Sequence, residues 1–256
     1  MTTTNPAPST AAPAWRRIAA QTGFETRAIL RNGEQLLVTI VIPVLVLVGL
    51  TKATSVELDT GGHTRVDFLT PGVLALAVMT SSFTSQAIAT AFDRRNGVLR
   101  LLSTTPLGRG GLLAGKVVGV LAVAVLQVVV VGATAFALGW HPHAAGFGPA
   151  VLALVLGAAA FTSLALVVAG TLRAEAVLAL ANLLLLALAL AGGIVVPADR
   201  LPPGLAHVAS LLPSGALGDA VRGALLDGSL PLGPVLVLVL WTAVLGGLAA
   251  RLFRWH

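Results

Sequence analysis

The chain has 256 residues, of which 56% are hydrophobic and only 10% are charged, and it contains no cysteine. A soluble domain of this size carries far more charge, so the composition excludes a soluble globular protein and predicts an all-α integral membrane protein. The formal net charge is +6, but the basic residues flank apolar stretches and form no patch. A nucleic-acid partner is therefore not expected.

The chain is predicted to have a tail and a membrane domain. Residues 1–13 carry no charge and no periodic pattern, which is typical of a disordered tail, and residues 14–256 form the membrane domain. The stretch Trp15–Gln35 predicts an amphipathic helix at the cytoplasmic membrane interface; a short soluble helix packed on a neighbour is the alternative. Its apolar residues are Trp15, Ile18, Phe24, Ile29 and Leu30, and its basic residues are Arg16, Arg17, Arg27 and Arg31.

Six uncharged stretches are long enough to cross a bilayer. They cover about residues 35–51, 68–92, 117–138, 150–172, 176–198 and 228–250. The first is at the short end of the range and contains Pro43, which predicts a kink. The third and fourth form one uncharged run, which turn residues between Trp140 and Pro149 divide into two helices.

The orientation of the spans follows from the distribution of lysine and arginine. With both termini in the cytoplasm, 12 of the 16 basic residues lie inside, which is the expected bias. Two outer segments are then longer than a turn. Lys52–Asp67 is polar, whereas Val196–Gly228 predicts short helices on the outer face or dipping into the membrane, or else a plain amphipathic loop.

The stretch Asp93–Pro106 is the one strongly charged segment between membrane spans, and the orientation places it in the cytoplasm. A short helix that begins after Gly97 would put Val98, Leu101 and Leu102 on one face and would end at the closing proline. Such a helix either lies on the membrane surface or docks into another protein.

No charged residue lies inside any predicted span, which argues against a gradient-driven secondary transporter and against a membrane enzyme. The polar residues at membrane depth are Thr80, Ser81, Ser82, Thr84, Ser85, Gln86, Gln127, Thr134, Thr162, Ser163 and Asn182. We expect most of them to form hydrogen bonds between helices. The candidates for a substrate path are Ser81, Ser82, Thr84, Ser85, Gln86 and Asn182.

The segment Gly110–Lys116 matches the G-x-x-x-x-G-K spacing of a phosphate-binding loop. However, Val117 stands where such a loop needs a hydroxyl, and a membrane helix follows, so no nucleotide site is predicted in this chain. Lys116 is interpreted as the cytoplasmic anchor of the third span, and Gly115 and Gly119 form a small-xxx-small packing pair. The histidines near the predicted turn have no acidic or cysteine partner, so no metal site is expected.

The run D-R-R-N-G-V-L-R-L-L-S-T-T-P-L at Asp93–Leu107, followed by G-K-V-V-G at Gly115–Gly119, resembles the permease subunits of ABC-2 type exporters. The likeness is to the daunorubicin/doxorubicin-resistance type of actinobacteria. Arg222 before the last span also fits the family, whereas Arg95 and Arg100 stand where acids are common. The positions that fit within the cytoplasmic run are Asp93, Arg94, Gly97, Leu99, Leu102, Thr105, Pro106 and Leu107.

The resemblance implies that the helix after Gly97 is a coupling helix in a groove of a separate ABC ATPase, and that the N-terminal helix is the connecting helix beside it. Two ATPase subunits, which bind ATP and Mg²⁺, would serve two permease chains, identical or different, in a bacterial plasma membrane. This chain would be a transport subunit without its own cofactor. The implied cargo is a hydrophobic drug or natural product, as in antibiotic resistance; a lipid or a polysaccharide is the alternative.

Overall fold

The computed structural model describes residues 11–53, 59–195, 197 and 202–252. The predicted tail up to residue 10, the middle of the first outer segment and most of residues 196–201 lie outside this part. All regular secondary structure in the described ranges is helical, as the composition predicts.

The described helices are, in chain order, α1 (Ala14–Arg31), α2 (Gly33–Leu36), α3 (Ile42–Lys52), α4 (Arg65–Met79), α5 (Gln86–Arg95), α6 (Val98–Ser103), α7 (Gly108–Ala137), α8 (Phe147–Thr171), α9 (Ala174–Ala191), α10 (Pro203–Leu211), α11 (Pro213–Asp227) and α12 (Leu232–Leu252). Two π-helical segments, Leu37–Val41 and Thr80–Ser85, join α2 to α3 and α4 to α5, and a short 3₁₀ turn precedes α8.

Five helical stretches in the described residues are long and apolar enough to cross a membrane. They are Arg65–Arg95, Gly108–Ala137, Ala144–Thr171, Ala174–Ala191 and Leu232–Leu252, and they correspond to the second to sixth predicted spans. The first predicted span contains a shorter apolar helix, Thr39–Lys52. Pro43 lies in the first turn of α3, directly after a π-helical segment, so the irregularity precedes the proline.

The second span and α8 form the centre of the bundle. In the most apolar 18-residue stretch of the second span, 83% of the residues are buried, against 17% in α9 and in α12. The helices α9 and α12 therefore line the outside of the chain. Small residues bring α8 close to its neighbours: a Cβ atom at Gly157 would lie 2.6 Å from Leu217 Cδ1 of α11. Close approach through small residues is the usual way in which membrane helices associate.

The outer segment before the last span forms two helices, α10 and α11, and α11 is mostly buried against α4, α8 and α12. Of the alternatives that the sequence leaves open here, the helical one is therefore correct. The helix α9 ends at Ala191, before the end of the fifth predicted span at 198, and Gly192–Val195 continue without helical structure.

The helix α1 packs along α7 through the predicted small-xxx-small pair. A Cβ atom at Gly115 would lie 2.5 Å from Gln21 Cγ, and one at Gly119 would lie 2.9 Å from Glu25 Cβ. On other sides of α1, Trp15 and other large apolar side chains stay exposed.

Candidate functional site

The helix α6, which the sequence predicts to lie in the cytoplasm, begins with a sharp turn at Gly97. This glycine has a φ angle of 79°, in the left-handed region that favours glycine, so the chain turns directly after α5 and restarts as α6. The inner side of α6 carries Leu99, which is fully buried with Leu112 of α7, Leu166 of α8 and Ala249 of α12. The helix is therefore anchored at the end of the bundle where α8 ends and α7 begins.

The outer side of α6 carries Leu101, whose side chain is 70% exposed. Leu102 is half-buried and packs beside the Leu99 cluster. The structure corrects the predicted face here, because Leu99 and Leu102 are three residues apart and share the inner side of the helix, while Leu101 points away. Arg100, Thr104, Thr105 and Pro106 are exposed around Leu101.

Arginine side chains fasten both ends of the α6 segment to neighbouring helices. Arg94 donates to the carbonyl of Leu172, where α8 ends. On the other side of α6, Arg109 Nη1 donates to the carbonyl of Ala250 in the last turn of α12, over 3.0 Å. The carbonyls at a helix C-terminus lack intrahelical donors, so these arginines satisfy them and tie α6 to α8 and α12.

An ion cluster around the buried Lys116 of α7 joins the N-terminal helix α1 to the end of α5. Lys116 is fully buried, and its Nζ lies 2.7 Å from Glu25 Oε1 of α1 and 3.8 Å from Asp93 Oδ2 at the end of α5. Gln21 Nε2 donates to the same Glu25 oxygen over 2.8 Å. The interpretation of Lys116 as the cytoplasmic anchor of the third span stays a prediction. The structure adds that α7 begins at Gly108, so this lysine lies within the helix, against α1.

The sequence offered one signal for this cluster. Gln21, Glu25 and Ile29 follow one another at intervals of four, which places them on one face of α1, and the structure buries all three. Arg17, one turn earlier, donates to the carbonyl of Pro106 in the segment after α6. Glu25 on that face was therefore a candidate partner for Lys116, which the sequence places at the end of the third predicted span.

The polar cluster of the second span is packed inside the chain. Ser81, Ser82, Thr84 and Gln86 are buried, and Ser85 is half-buried. The hydroxyls of the first two donate to carbonyls of the preceding turn. In this conformation these predicted path residues face neighbouring helices, and the geometry fits the interhelical packing that the sequence favours.

An apolar groove runs between α3, the second span and α9, with a cavity of about 450 Å³. It is lined by Thr39, Ile42, Pro43, Val46, Leu76, Thr80, Asn182, Leu185, Leu186 and Ala189. Of the predicted path residues, Asn182 is the one that the structure brings to this groove. Thr80, which belongs to the same polar cluster, forms part of the facing wall.

Arg222 lies at the opposite end of the bundle from α6 and is buried. Its Nη2 donates to the carbonyls of Ile194 and Val195, over 3.1 and 3.2 Å, and its Nη1 pairs with Asp219 Oδ1 at 2.9 Å. A Cβ atom at Gly218 would lie 2.9 Å from the Ile194 oxygen. Arg222 thus holds the non-helical segment after α9 against α11.

Comparison with known proteins assigns the chain to a family. The model of the ABC-2 type transporter family matches residues 17–226, which run from α1 to α11 and include α6, the groove and Arg222. No curated protein sequence matches the chain. Because the family model covers most of the chain, the protein belongs to the ABC-2 type transporter family and is a multi-pass membrane transport subunit.

Proposed function

We propose that the chain is the permease subunit of an ATP-driven ABC exporter and that the ATPase is a separate protein. The observation that carries this proposal is the two-sided α6 helix: Leu99 anchors it in the bundle, and Leu101 stands 70% exposed among polar residues. An exposed leucine on a rigid cytoplasmic helix is a suitable anchor for a partner's pocket.

The fastening of α6 supports its role in transmitting movement. Arg94 and Arg109 tie its two ends to α8 and α12, and Lys116 ties the end of α5 to α1. A displacement of α6 by a partner would therefore act on the cytoplasmic ends of several spans together. In this proposal two ATPases, which bind ATP and Mg²⁺, dock beneath two permease chains.

We further propose six crossings with both termini in the cytoplasm of a bacterial cell. The first crossing would be made by α2, the π-helical segment and α3 together, which follow one another without a break from Gly33 to Lys52. This stretch has about the length that a crossing needs.

The groove supports a hydrophobic cargo, such as a drug or natural product. Its walls are mostly leucine, isoleucine, valine and alanine side chains, with Thr80 and Asn182 as polar contacts. Such walls suit an apolar molecule with few hydrogen-bonding groups and suit a polysaccharide poorly. A lipid is the alternative cargo, because an acyl chain fits the same walls.

The test is purification of the tagged chain from its native membrane, in mild detergent or nanodiscs, with an assay for ATPase activity that co-purifies. We expect a stoichiometric ATP-binding partner with the wild type and its loss with Leu101→Asp, because a carboxylate would enter an apolar pocket. Leu205→Asp on α10 is the control, since this leucine is also exposed and lies on the other side of the membrane in the proposed topology. Recovery of the wild-type chain alone from several mild detergents would contradict the proposal.

A further inference from the structure

Gln127 is a fully buried amide in the membrane-spanning part of α7. Its Nε2 donates to the carbonyl of Thr39 over 2.9 Å and lies 3.3 Å from the carbonyl of Ala77. Its Oε1 lies 3.0 Å from Ser81 Oγ. The single proton of this hydroxyl is shared between the Gln127 oxygen and the carbonyl of Ala77, which lies 2.8 Å from Ser81 Oγ. One side chain therefore bridges three membrane helices with both ends of its amide.

A proline in the sequence affects one of these acceptors, the carbonyl of Thr39. Pro43 has no N–H, so it cannot donate to the carbonyl four residues earlier, that of Thr39, as another residue would in an α-helix. Gln127 supplies a donor from a different helix.

Two of the three partners of Gln127 lie in irregular helical segments. Thr39 belongs to the π-helical segment Leu37–Val41, and Ser81 belongs to the π-helical segment Thr80–Ser85. π-Helical turns inside α-helices are rare and occur frequently at functional sites. The amide thus holds two such segments at a fixed distance from each other.

The same two segments form walls of the groove described above. Thr39 lines it directly, and Leu76 and Thr80 line it from positions next to Ala77 and Ser81. Gln127 does not line the groove. Its hydrogen bonds hold the two wall segments on the side that faces α7.

We propose that Gln127 is a positioning residue that sets the width of this groove and thereby the size of the apolar cargo that the permease accepts. It does so without touching the cargo. The part of this inference that concerns cargo rests on the proposed export function; the part that concerns the width of the groove does not.

The first measurement is the distance across the groove. The chain has no cysteine, so Lys52→Cys and Leu190→Cys place spin labels on exposed sites at the ends of α3 and α9 without a background. In nanodiscs we expect one narrow distance distribution by pulsed electron resonance. Gln127→Met, which keeps the length of the side chain and removes the amide, should shift and broaden it.

The matched control is Thr134→Val on the same helix. The Thr134 hydroxyl donates to the carbonyl of Val130 within α7, so its removal should leave the distribution unchanged. If Gln127→Met does not fold, Ser81→Ala removes one bond of the same network and should give a smaller shift. An unchanged distribution in the variant that folds would overturn the proposal.

The second measurement uses the complex with its native ATPase. Doxorubicin and the smaller, unsubstituted anthraquinone are compared by the concentration of each that gives half-maximal stimulation of the ATPase rate. We expect Gln127→Met to change the ratio of these two concentrations by up to about tenfold, while the maximal rate stays similar. A wild type that yields no ATPase would contradict the export function alone, because the label distances are measured without it. A stimulated wild type with an unchanged ratio in the variant would overturn the role of Gln127 in cargo selection.

Discussion

At the scale of single residues, the ion cluster at Lys116 gives a prediction about stability. Removal of the ammonium leaves the Glu25 and Asp93 carboxylates facing each other without a cation. We therefore expect Lys116→Met to lower the free energy of unfolding by about 3–5 kcal/mol, the usual cost of breaking a buried ion pair. The double variant Glu25→Gln with Lys116→Met should recover part of the loss. Thermal unfolding in nanodiscs measures both changes.

The control for this prediction is a second ion pair at the same end of the bundle. Arg95 and Glu175 are 2.8 Å apart, but their side chains are 56% and 72% exposed. Glu175→Gln should change the free energy of unfolding by no more than about 1 kcal/mol, because exposed ion pairs contribute little. If both variants lowered the free energy of unfolding equally, the burial of Lys116 would not increase the contribution of its ion pair to stability, and the prediction would be wrong.

At the scale of helices, the uncharged stretches of the sequence predict where helices lie better than where they begin and end. The third stretch begins at 117, after a lysine, whereas the helix α7 begins at Gly108, because Lys116 pairs with Glu25 and does not interrupt the helix. The fifth stretch runs to 198, whereas the helix α9 ends at Ala191. The next residues are apolar, but Arg222 satisfies two of their carbonyls without a helix.

The same limit applies to the face of α6. A six-residue helix with leucines at three positions has no single apolar side in its sequence. Which leucine turns inward depends on Leu112, Leu166 and Ala249, from three other helices that the local pattern does not contain. The position of α6 was predictable from the charges around it and from Gly97, whereas the exposure of Leu101 was not.

The packing of α1 on α7 gives a prediction for a pair of helices. Gly119→Ala would place a Cβ atom 2.9 Å from Glu25 Cβ, and overpacking of this kind costs about 1–3 kcal/mol. We expect trypsin to cleave at the arginines of α1 faster in this variant, because α1 separates from α7 more often. Gly23→Ala is the control: no atom lies within 4 Å of its Cβ position, and alanine favours a helix. Its cleavage should be unchanged or slower.

At the scale of the whole molecule, the charged contacts separate into two ends. Arg17, Arg94 and Arg109 bind carbonyls around α6. At the other end the backbone N–H of His141 donates to Asp67 Oδ1 over 2.7 Å, in the turn between the third and fourth spans. This arrangement agrees with the bias of lysine and arginine in the sequence and places α6 on the side where basic residues accumulate.

The orientation itself is tested by labelling single cysteines in intact cells with a maleimide that cannot cross the membrane. His63→Cys lies on the exposed outer loop before α4, and Ser103→Cys lies on the exposed end of α6. Because the chain contains no other cysteine, each signal reports one site. We expect the first to react in intact cells and the second only after permeabilisation. The reverse pattern would place α6 outside the cell, beyond the reach of any cytoplasmic ATPase, and would contradict both the topology and the export function built on it.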